Sequence, residues 1–323
     1  MEWTADPSVG AWLRERLEDD SVATMHCVVP HGYEAYARVF HPAEVRSLPG
    51  RDVPSSRDWQ RMPVAERDEL FAQLVDSPAT WAETARAFGT TMHARAQWHR
   101  IVKTPTDGDW RTRAAPDGRE FTSPEEGRMP PALLAGLAAH LVAHTTTPDD
   151  GCAALWEGWG GLLGFSAGAP SRSPLTAGDD PIHQEMLGRS IHDPFNNVFR
   201  KPVWHDGILS REISEGPRLV LPGREHVLFT AAPRAFDDPD WVLDAPWRDR
   251  PMEQHGFAPQ AQHPSLIWPA DRAWVMVSEI DFDSTIVAGS ADLIRTLCAD
   301  DRLEALPLAE GSSLTWDSDE VNR

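Results

Sequence analysis

Alternation of apolar and polar residues is the most regular pattern in this chain, and it predicts strands in several separate places. Strands are predicted within residues 26–41, 152–159 and 273–283. Residues 218–229 alternate on both sides of Pro222-Gly223, which predicts a β-hairpin around that turn.

Helical periodicity occurs in separate blocks, near residues 63–75 and 79–88, from 130 to 144, and from Ser290 through Cys298. The helices come in clumps and do not alternate strictly with strands. This arrangement predicts an α+β fold with a mainly antiparallel sheet, packed helices and long loops.

The long loops are predicted where Pro, Gly and Asp are frequent without periodicity, at residues 104–130, 161–190 and 232–265. We expect residues 1–308 to form a single domain around these loops. Residues 309–323 are acidic and are expected to form a flexible tail.

Composition and net charge disfavour several classes of function. The 323 residues carry a net charge of −20, which disfavours binding to nucleic acid and is compatible with a basic protein partner. We expect no association with a membrane, because no apolar run is long enough to cross a bilayer. Three widely spaced cysteines and the absence of a signal-peptide pattern predict a cytoplasmic protein, and no cofactor or metal site is predicted.

The most suggestive motif is an apolar strand that runs into Glu279, Asp281, Asp283 and then Ser284-Thr285. On a continuous strand the three carboxylates would share one face, where they could bind a divalent metal or supply a general acid and base. The motif resembles the nucleophile motif of haloacid-dehalogenase-like phosphatases. That family needs a later Lys, and none occurs in the 40 residues after Asp283. A solvated strand face is the simpler interpretation.

A second motif, Gly164-Phe165-Ser166-Ala167-Gly168, matches the nucleophile elbow of α/β-hydrolases. Asp249 with His255 or His263 would complete a triad in that family's order, after His31-Gly32 as the start of an oxyanion loop. The prolines that follow Ser166 disfavour the helix that the elbow requires. Ser166 is therefore kept as an alternative nucleophile.

Binding residues are suggested by the 14 tryptophans, several of which neighbour charged residues. Tryptophan side chains next to acidic residues and arginine suit recognition of a protein partner or a sugar, although most tryptophans in a protein pack in its core. The candidates are Trp156, Glu157, Trp159, Trp268, Asp271, Arg272 and Trp274. His140 and His144 have a metal-compatible spacing, but a structural role at a helix end is favoured.

Several blocks together resemble a family of actinobacterial proteins with no established activity. They are Val29-Pro30, residues 32–38, His41-Pro42, residues 144–147 and 155–158, Trp268-Pro269-Ala270-Asp271-Arg272 with Trp274, and residues 279–285. The resemblance implies one fold over about residues 26–308, with a variable loop around Ser166, and it implies no activity.

The sequence thus favours a non-catalytic cytoplasmic binding or interaction protein, of an antitoxin or immunity type. The alternatives are a hydrolase that uses Ser166 and a metal-dependent enzyme that uses Glu279, Asp281 and Asp283. Whether the protein is an enzyme stays open at this point.

Overall fold

The computed structural model describes residues 1–19, 24–105, 108–167 and 203–323. Most of the predicted loop 161–190 and Gly168 of the hydrolase-like motif lie outside the described residues.

Strands occur along the whole described chain. They are β1 (Glu2–Trp3), β2 (Ala35–Phe40), β3 (Ala43–Ser47), β4 (Val75–Ala79), β5 (Thr112–Ala114), β6 (Glu120–Thr122), β7 (Gly151–Trp156), β8 (Phe165–Ala167), β9 (Val203–His205), β10 (Leu219–Leu221), β11 (Arg224–Thr230), β12 (Leu266–Pro269), β13 (Val275–Val277), β14 (Ser284–Gly289) and β15 (Ala305–Leu308).

The α-helices are mostly short. They are α1 (Ala11–Arg14), α2 (Ser56–Arg61), α3 (Val64–Phe71), α4 (Trp81–Phe88), α5 (Trp98–Ile101), α6 (Pro131–Ala143), α7 (Arg211–Ser214), α8 (Arg250–Gln254) and α9 (Ala291–Cys298). Single 3₁₀ turns lie at Pro7–Gly10, Met25–Cys27, Pro233–Phe236 and Pro239–Leu243.

A large antiparallel sheet forms the centre of the fold, which confirms the α+β prediction. Among the described residues its strands follow the order β1-β11-β7-β12-β13-β14-β2-β15, and β10 pairs with β11 as the predicted hairpin. Gly223 in that turn has φ of 70°, a left-handed conformation that glycine adopts without strain.

Both faces of the central sheet are buried, because successive side chains of each strand enter different cores. Ala153 and Leu155 of β7 join a core beneath α6 and α9, whereas Cys152 and Ala154 join the core that contains Trp12 of α1. The predicted helices α6 and α9 are confirmed, and the Ser290 side chain caps α9 by accepting a hydrogen bond from Leu293 N.

A smaller antiparallel sheet, in the order β4-β3-β6-β5, lies beside the central one. The prediction that residues 104–130 lack regular structure was wrong, because this segment supplies β5 and β6. Phe121 of β6 is fully buried against Phe88 of α4. Strands this short carry too little periodicity to be recognised, and burial against a neighbouring helix stabilises them.

Two further predicted irregular segments are more ordered than expected. Residues 232–265 contain 3₁₀ turns and α8, which pack Phe236, Trp241 and Trp247 into the core under α6. Residues 309–323 were expected to be a flexible tail. Instead Asp319 is buried, accepting hydrogen bonds from Gln97 N and Asn322 and lying 2.9 Å from His93 Nε2.

The described helices include none that combines the length and the apolar character needed to span a membrane.

Glu304 connects helix α4, which directly follows β4 of the smaller sheet, to the central sheet. Its two carboxylate oxygens accept hydrogen bonds of 2.6 Å from Trp81 N and Ala82 N, the first free amides of α4, and Glu304 directly precedes β15. A carboxylate at a helix N-terminus also interacts favourably with the helix dipole.

We therefore expect Glu304→Ala to lower the free energy of unfolding by about 1.5–3 kcal/mol, because two backbone donors lose a charged acceptor. Urea denaturation followed by circular dichroism measures this change. Glu15→Ala, at an exposed glutamate, serves as the control, and an equal effect of both substitutions would refute the role of Glu304.

Candidate functional site

The acidic motif forms a loop rather than the continuation of a strand. β13 ends at Val277 and pairs antiparallel with β14, which begins at Ser284, so the chain reverses direction across residues 278–283. We call these residues the acidic loop. The prediction that Glu279, Asp281 and Asp283 lie in a row on one strand face was wrong, because a hairpin turn separates two short strands.

Arginine side chains pair with all three carboxylates of the acidic loop. Arg224, at the start of β11, donates from Nε to Glu279 at 3.1 Å and from Nη2 to Asp281 at 2.6 Å. Arg38 pairs with Asp283 at 3.1 Å. Because arginine compensates these carboxylates, the loop itself is poorly suited to bind a metal ion.

Arg38 donates four hydrogen bonds next to this loop. It lies in the middle of β2 with 2% exposure, and besides Asp283 it donates to Ser284 Oγ, Ala94 O and Ala96 O over 2.7–3.2 Å. Burial raises the pKa of the Asp283 carboxyl above its usual value, and Arg38 opposes that shift.

Next to Asp283 lies a pocket of about 210 Å³, which we call the acidic pocket. Its walls combine carboxylates with aromatic rings. The residues that define it are Glu126, Asp281, Asp283, Trp98, Trp110, Phe282, Trp316, His99 and Arg38. All three guanidinium nitrogens of Arg38 donate to protein acceptors, so this side chain is already engaged within the protein.

The aromatic wall is built around Trp316, whose side chain is 55% exposed. Its ring stacks on His99 with centroids 3.7 Å apart, and Trp110 meets it edge-on at 5.7 Å. Both nitrogens of His99 are buried without a hydrogen-bond partner among the described residues. Burial lowers the pKa of His99 to about 4, with a smaller contribution from Arg100, so the ring is neutral at pH 7.

Glu126 adds a negative charge that has no hydrogen bond or ion pair within the described part of the chain. Burial raises the pKa of this carboxyl above its ordinary value, Asp283 raises it further, the nearby Arg111 opposes the shift, and Asp281 contributes a smaller increase. A cation placed in the pocket would relieve this repulsion.

A larger cavity of about 580 Å³ lies between the N-terminus of α6 and residues 242–263. Trp159, His41 and His263 contribute to its wall. Burial lowers the pKa of His41 to about 3, followed in size by the effect of His263, so His41 is neutral at pH 7. The size suits a small organic ligand. Its charged lining residues are engaged within the protein, since Glu125 pairs with Arg128 at 3.1 Å and Asp249 accepts a hydrogen bond from Met252 N.

Two of the tryptophans predicted to bind a partner are buried, which corrects that expectation. Trp268 lies on the central strand β12 and packs edge-on against Trp12 at 6.2 Å. Trp274 is completely buried and donates from Nε1 to Leu141 O at 2.8 Å. Each lies where strand alternation or a neighbouring helix directs it into a core.

The other predicted binding residues are at least partly exposed but are engaged within the protein. Asp271 accepts hydrogen bonds from Thr145 and Thr146. Glu157 pairs with Arg218 at 3.0 Å.

The remaining predicted binding residues are Trp156, Trp159 and Arg272. Trp156 meets Trp159 edge-on at 5.7 Å and lies beneath the Arg224 guanidinium at 5.5 Å. Arg272 lies over Trp12 at 5.0 Å and has φ of 55°. None of these residues lines the acidic pocket.

The hydrolase motif lacks the required local structure. Ser166 lies within β8 and pairs with Trp204 of β9, whereas a nucleophile elbow needs a strand-to-helix turn. Asp249 caps α8 through Met252 N. Both ring nitrogens of His263 lie within hydrogen-bond distance of backbone carbonyls, those of Gly127 and Pro264.

The histidine pair on α6 has structural contacts at the helix end, where its role was predicted. His140 Nε2 lies 2.7 Å from Asp300, and His144 Nδ1 lies 2.8 Å from His140 O.

Among the pocket residues that sequence reasoning missed are Trp98, His99, Trp110, Glu126 and Trp316. Three of them lie in segments that were predicted to be irregular or flexible. The one available signal was the presence of Trp110 and Trp316 in otherwise polar segments.

Comparison of this chain with protein-family models, curated proteins and solved structures gives no match. The resemblance to an actinobacterial family stays a prediction, and the interpretation of the site rests on its geometry.

We expect Arg38→Met to lower the free energy of unfolding by about 3–5 kcal/mol, because it leaves Asp283 as a buried charge without its partner. The double variant Arg38→Met/Asp283→Leu should recover part of this loss, since it removes both charges. Urea denaturation of both variants tests the pairing. A double variant less stable than Arg38→Met would contradict it.

Proposed function

We propose that this protein is a non-catalytic binding protein and that its acidic pocket receives a lysine or arginine side chain of a basic partner. The observation that carries this proposal is the combination of Glu126, a carboxylate without an ion-pair partner among the described residues, with four aromatic rings around one small cavity. Carboxylates attract a cation by charge, and aromatic faces attract it through the ring quadrupole.

The size of the pocket supports a single side chain as the ligand. Its volume of about 210 Å³ is below the roughly 300–1,000 Å³ that is common for sites of drug-sized molecules. An ammonium or guanidinium group on an aliphatic stem fits such a space, and the stem would lie against the ring of Trp316, because the guanidinium of Arg111 already lies 4.8 Å from the centroid of the Trp110 ring.

The overall charge supports a basic partner. A net charge of −20 attracts positively charged proteins over distance and accelerates their association at low ionic strength. The specific contacts would then come from the pocket. The acidic pocket would then be the contact site for the basic partner that the composition favours.

Titration with short glycine-rich peptides that contain one central arginine tests the proposal, with tryptophan fluorescence and calorimetry as measurements. A matched peptide with citrulline, the neutral isostere of arginine, is the ligand control. We expect the arginine peptide to bind and the citrulline peptide to bind at least tenfold more weakly.

Trp316→Leu should weaken arginine-peptide binding by about threefold to thirtyfold, since a cation–π contact contributes about 0.5–2 kcal/mol. Trp204→Leu, at a tryptophan that does not line the pocket, is the control variant. Equal binding of the two peptides, or of the two variants, would refute the proposal. Tighter binding of free tetramethylammonium than of the peptide would instead indicate a small-molecule ligand.

Binding should also depend on pH. A cation binds the ionised form of Glu126 better than the protonated form, so affinity falls as pH decreases through the pKa of this group. Because that pKa is raised above the ordinary 4.5, the fall should begin at a higher pH than for an isolated glutamate. Calorimetry between pH 7 and pH 5 measures it, and Glu126→Gln should bind more weakly at pH 7 and show a smaller pH dependence in this window, with Asp283, whose pKa is also raised, contributing the remainder.

A further inference from the structure

A second group of polar side chains lies apart from the acidic pocket, where the Met25–Cys27 turn meets the segment after β15. It consists of His26, His31 and Glu310, and one donor atom from each lies within 4.8 Å of the other two. None of these residues lines the acidic pocket or the large cavity.

His26 presents a nitrogen without a partner. Its Nδ1 lies 2.9 Å from Val29 O, and because a carbonyl only accepts, Nδ1 carries the proton. The lone pair is then on Nε2, which is buried and has no hydrogen-bond partner among the described residues. The residue is 1% exposed, so solvent does not satisfy this atom. A buried acceptor without a partner lowers the stability of the fold, and a bound ligand would satisfy it.

His31 is oriented in a similar way by a carboxylate. Its Nε2 lies 3.0 Å from Glu18 Oε1, and because a carboxylate only accepts, Nε2 carries a proton and Nδ1 is the nitrogen left to bind an ion. Glu18 is itself held by Thr24, whose hydroxyl donates to Oε2 at 2.7 Å. Metal-binding histidines in proteins commonly donate their second nitrogen to a backbone carbonyl or a carboxylate, and the two histidines here have one of each.

The backbone holds the donor segments together. Glu18 N donates to His26 O at 2.9 Å, His31 N to Arg16 O at 2.8 Å, and Met25 N to Ser312 O at 2.8 Å. These hydrogen bonds connect the segments that carry the two histidines, Glu18 and Glu310. The backbone positions of the three residues are therefore fixed relative to one another.

An ordinary ion pair does not account for this arrangement. His31 Nδ1 and Glu310 Oε1 are 3.9 Å apart, too far for a hydrogen bond, and an ion pair at His31 leaves His26 Nε2 without a partner. Two donors bound to one zinc ion would lie about 3.4 Å apart, from ligand distances of about 2.0–2.1 Å. The rings of His26 and His31 are stacked with their centroids 3.5 Å apart, so their in-plane lone pairs do not converge on one point in this arrangement. The side chains of His31 and Glu310 are 42% and 60% exposed, so rotation of His31 out of the stack, together with Glu310, can close the group around an ion.

We propose that His26, His31 and Glu310 bind one divalent transition-metal ion of the zinc class, through His26 Nε2, His31 Nδ1 and a Glu310 carboxylate oxygen. Two imidazoles and a carboxylate favour Zn²⁺ and its neighbours over Ca²⁺ or Mg²⁺, which prefer oxygen ligands. Three protein ligands leave one position of a tetrahedral ion for water. Sequence reasoning did not predict a metal site here, because the third ligand follows the histidines by almost 280 residues.

Zn²⁺ alone, added to the full chain after treatment with a chelator, tests this proposal by titration calorimetry, and Co²⁺ absorption reports the coordination geometry. We expect one ion per chain and a tetrahedral Co²⁺ spectrum. His31→Ala and Glu310→Gln, both at partly exposed positions, should each weaken Zn²⁺ binding at least tenfold with an unchanged circular dichroism spectrum.

His140→Ala is the matched control, because His140 also pairs with a carboxylate, that of Asp300, but has no place in the group. This variant should bind Zn²⁺ like the wild type. Absence of stoichiometric binding, binding that survives both His31→Ala and Glu310→Gln, or equal loss in His140→Ala would each overturn the proposal.

Discussion

The buried guanidinium of Arg38 is the interaction on which the arrangement of this protein depends. From the middle of β2 it bonds to Ser284 at the start of β14, to Asp283 in the acidic loop, and to the carbonyls of Ala94 and Ala96 before α5. One side chain thus connects the central sheet, the acidic loop and the segment that leads into the small sheet's helices. A buried charge is tolerated only when its donors are satisfied, so these elements have to meet in one geometry.

The acidic pocket follows from that constraint. The ion pair with Arg38 holds Asp283 at the wall of the pocket, and the backbone near residues 94–96 positions His99 one turn later. The C-terminal segment completes the wall because Asp319 accepts a hydrogen bond from Gln97 N and thereby anchors Trp316 over His99. Loops that are held at both ends by a rigid sheet are a common location for binding residues.

The acidic pocket and the histidine group differ in how charge is arranged. In the pocket, Arg38 and Arg224 compensate carboxylates of the acidic loop, while Glu126 remains available to a cationic ligand. In the histidine group, Val29 O and Glu18 occupy one nitrogen of each ring, which leaves the other nitrogen of each ring as a candidate ligand atom. The first arrangement suits an organic cation, and the second suits a metal ion with nitrogen ligands.

Local patterns were sufficient to predict the α+β class, the β10–β11 hairpin, and helices α6 and α9. Each of these depends on neighbours in sequence, namely periodicity, a Pro-Gly turn or the Ser290 cap. The turn within residues 278–283, the strands β5 and β6, and the packed C-terminal segment were decided by tertiary contacts. Their partners, such as Arg38 for Asp283 and Gln97 for Asp319, lie more than 200 residues away. Periodicity within a segment carries no information on such distant partners, so the sequence alone indicated acidic and tryptophan-rich segments, and only the fold decided which of them share a pocket.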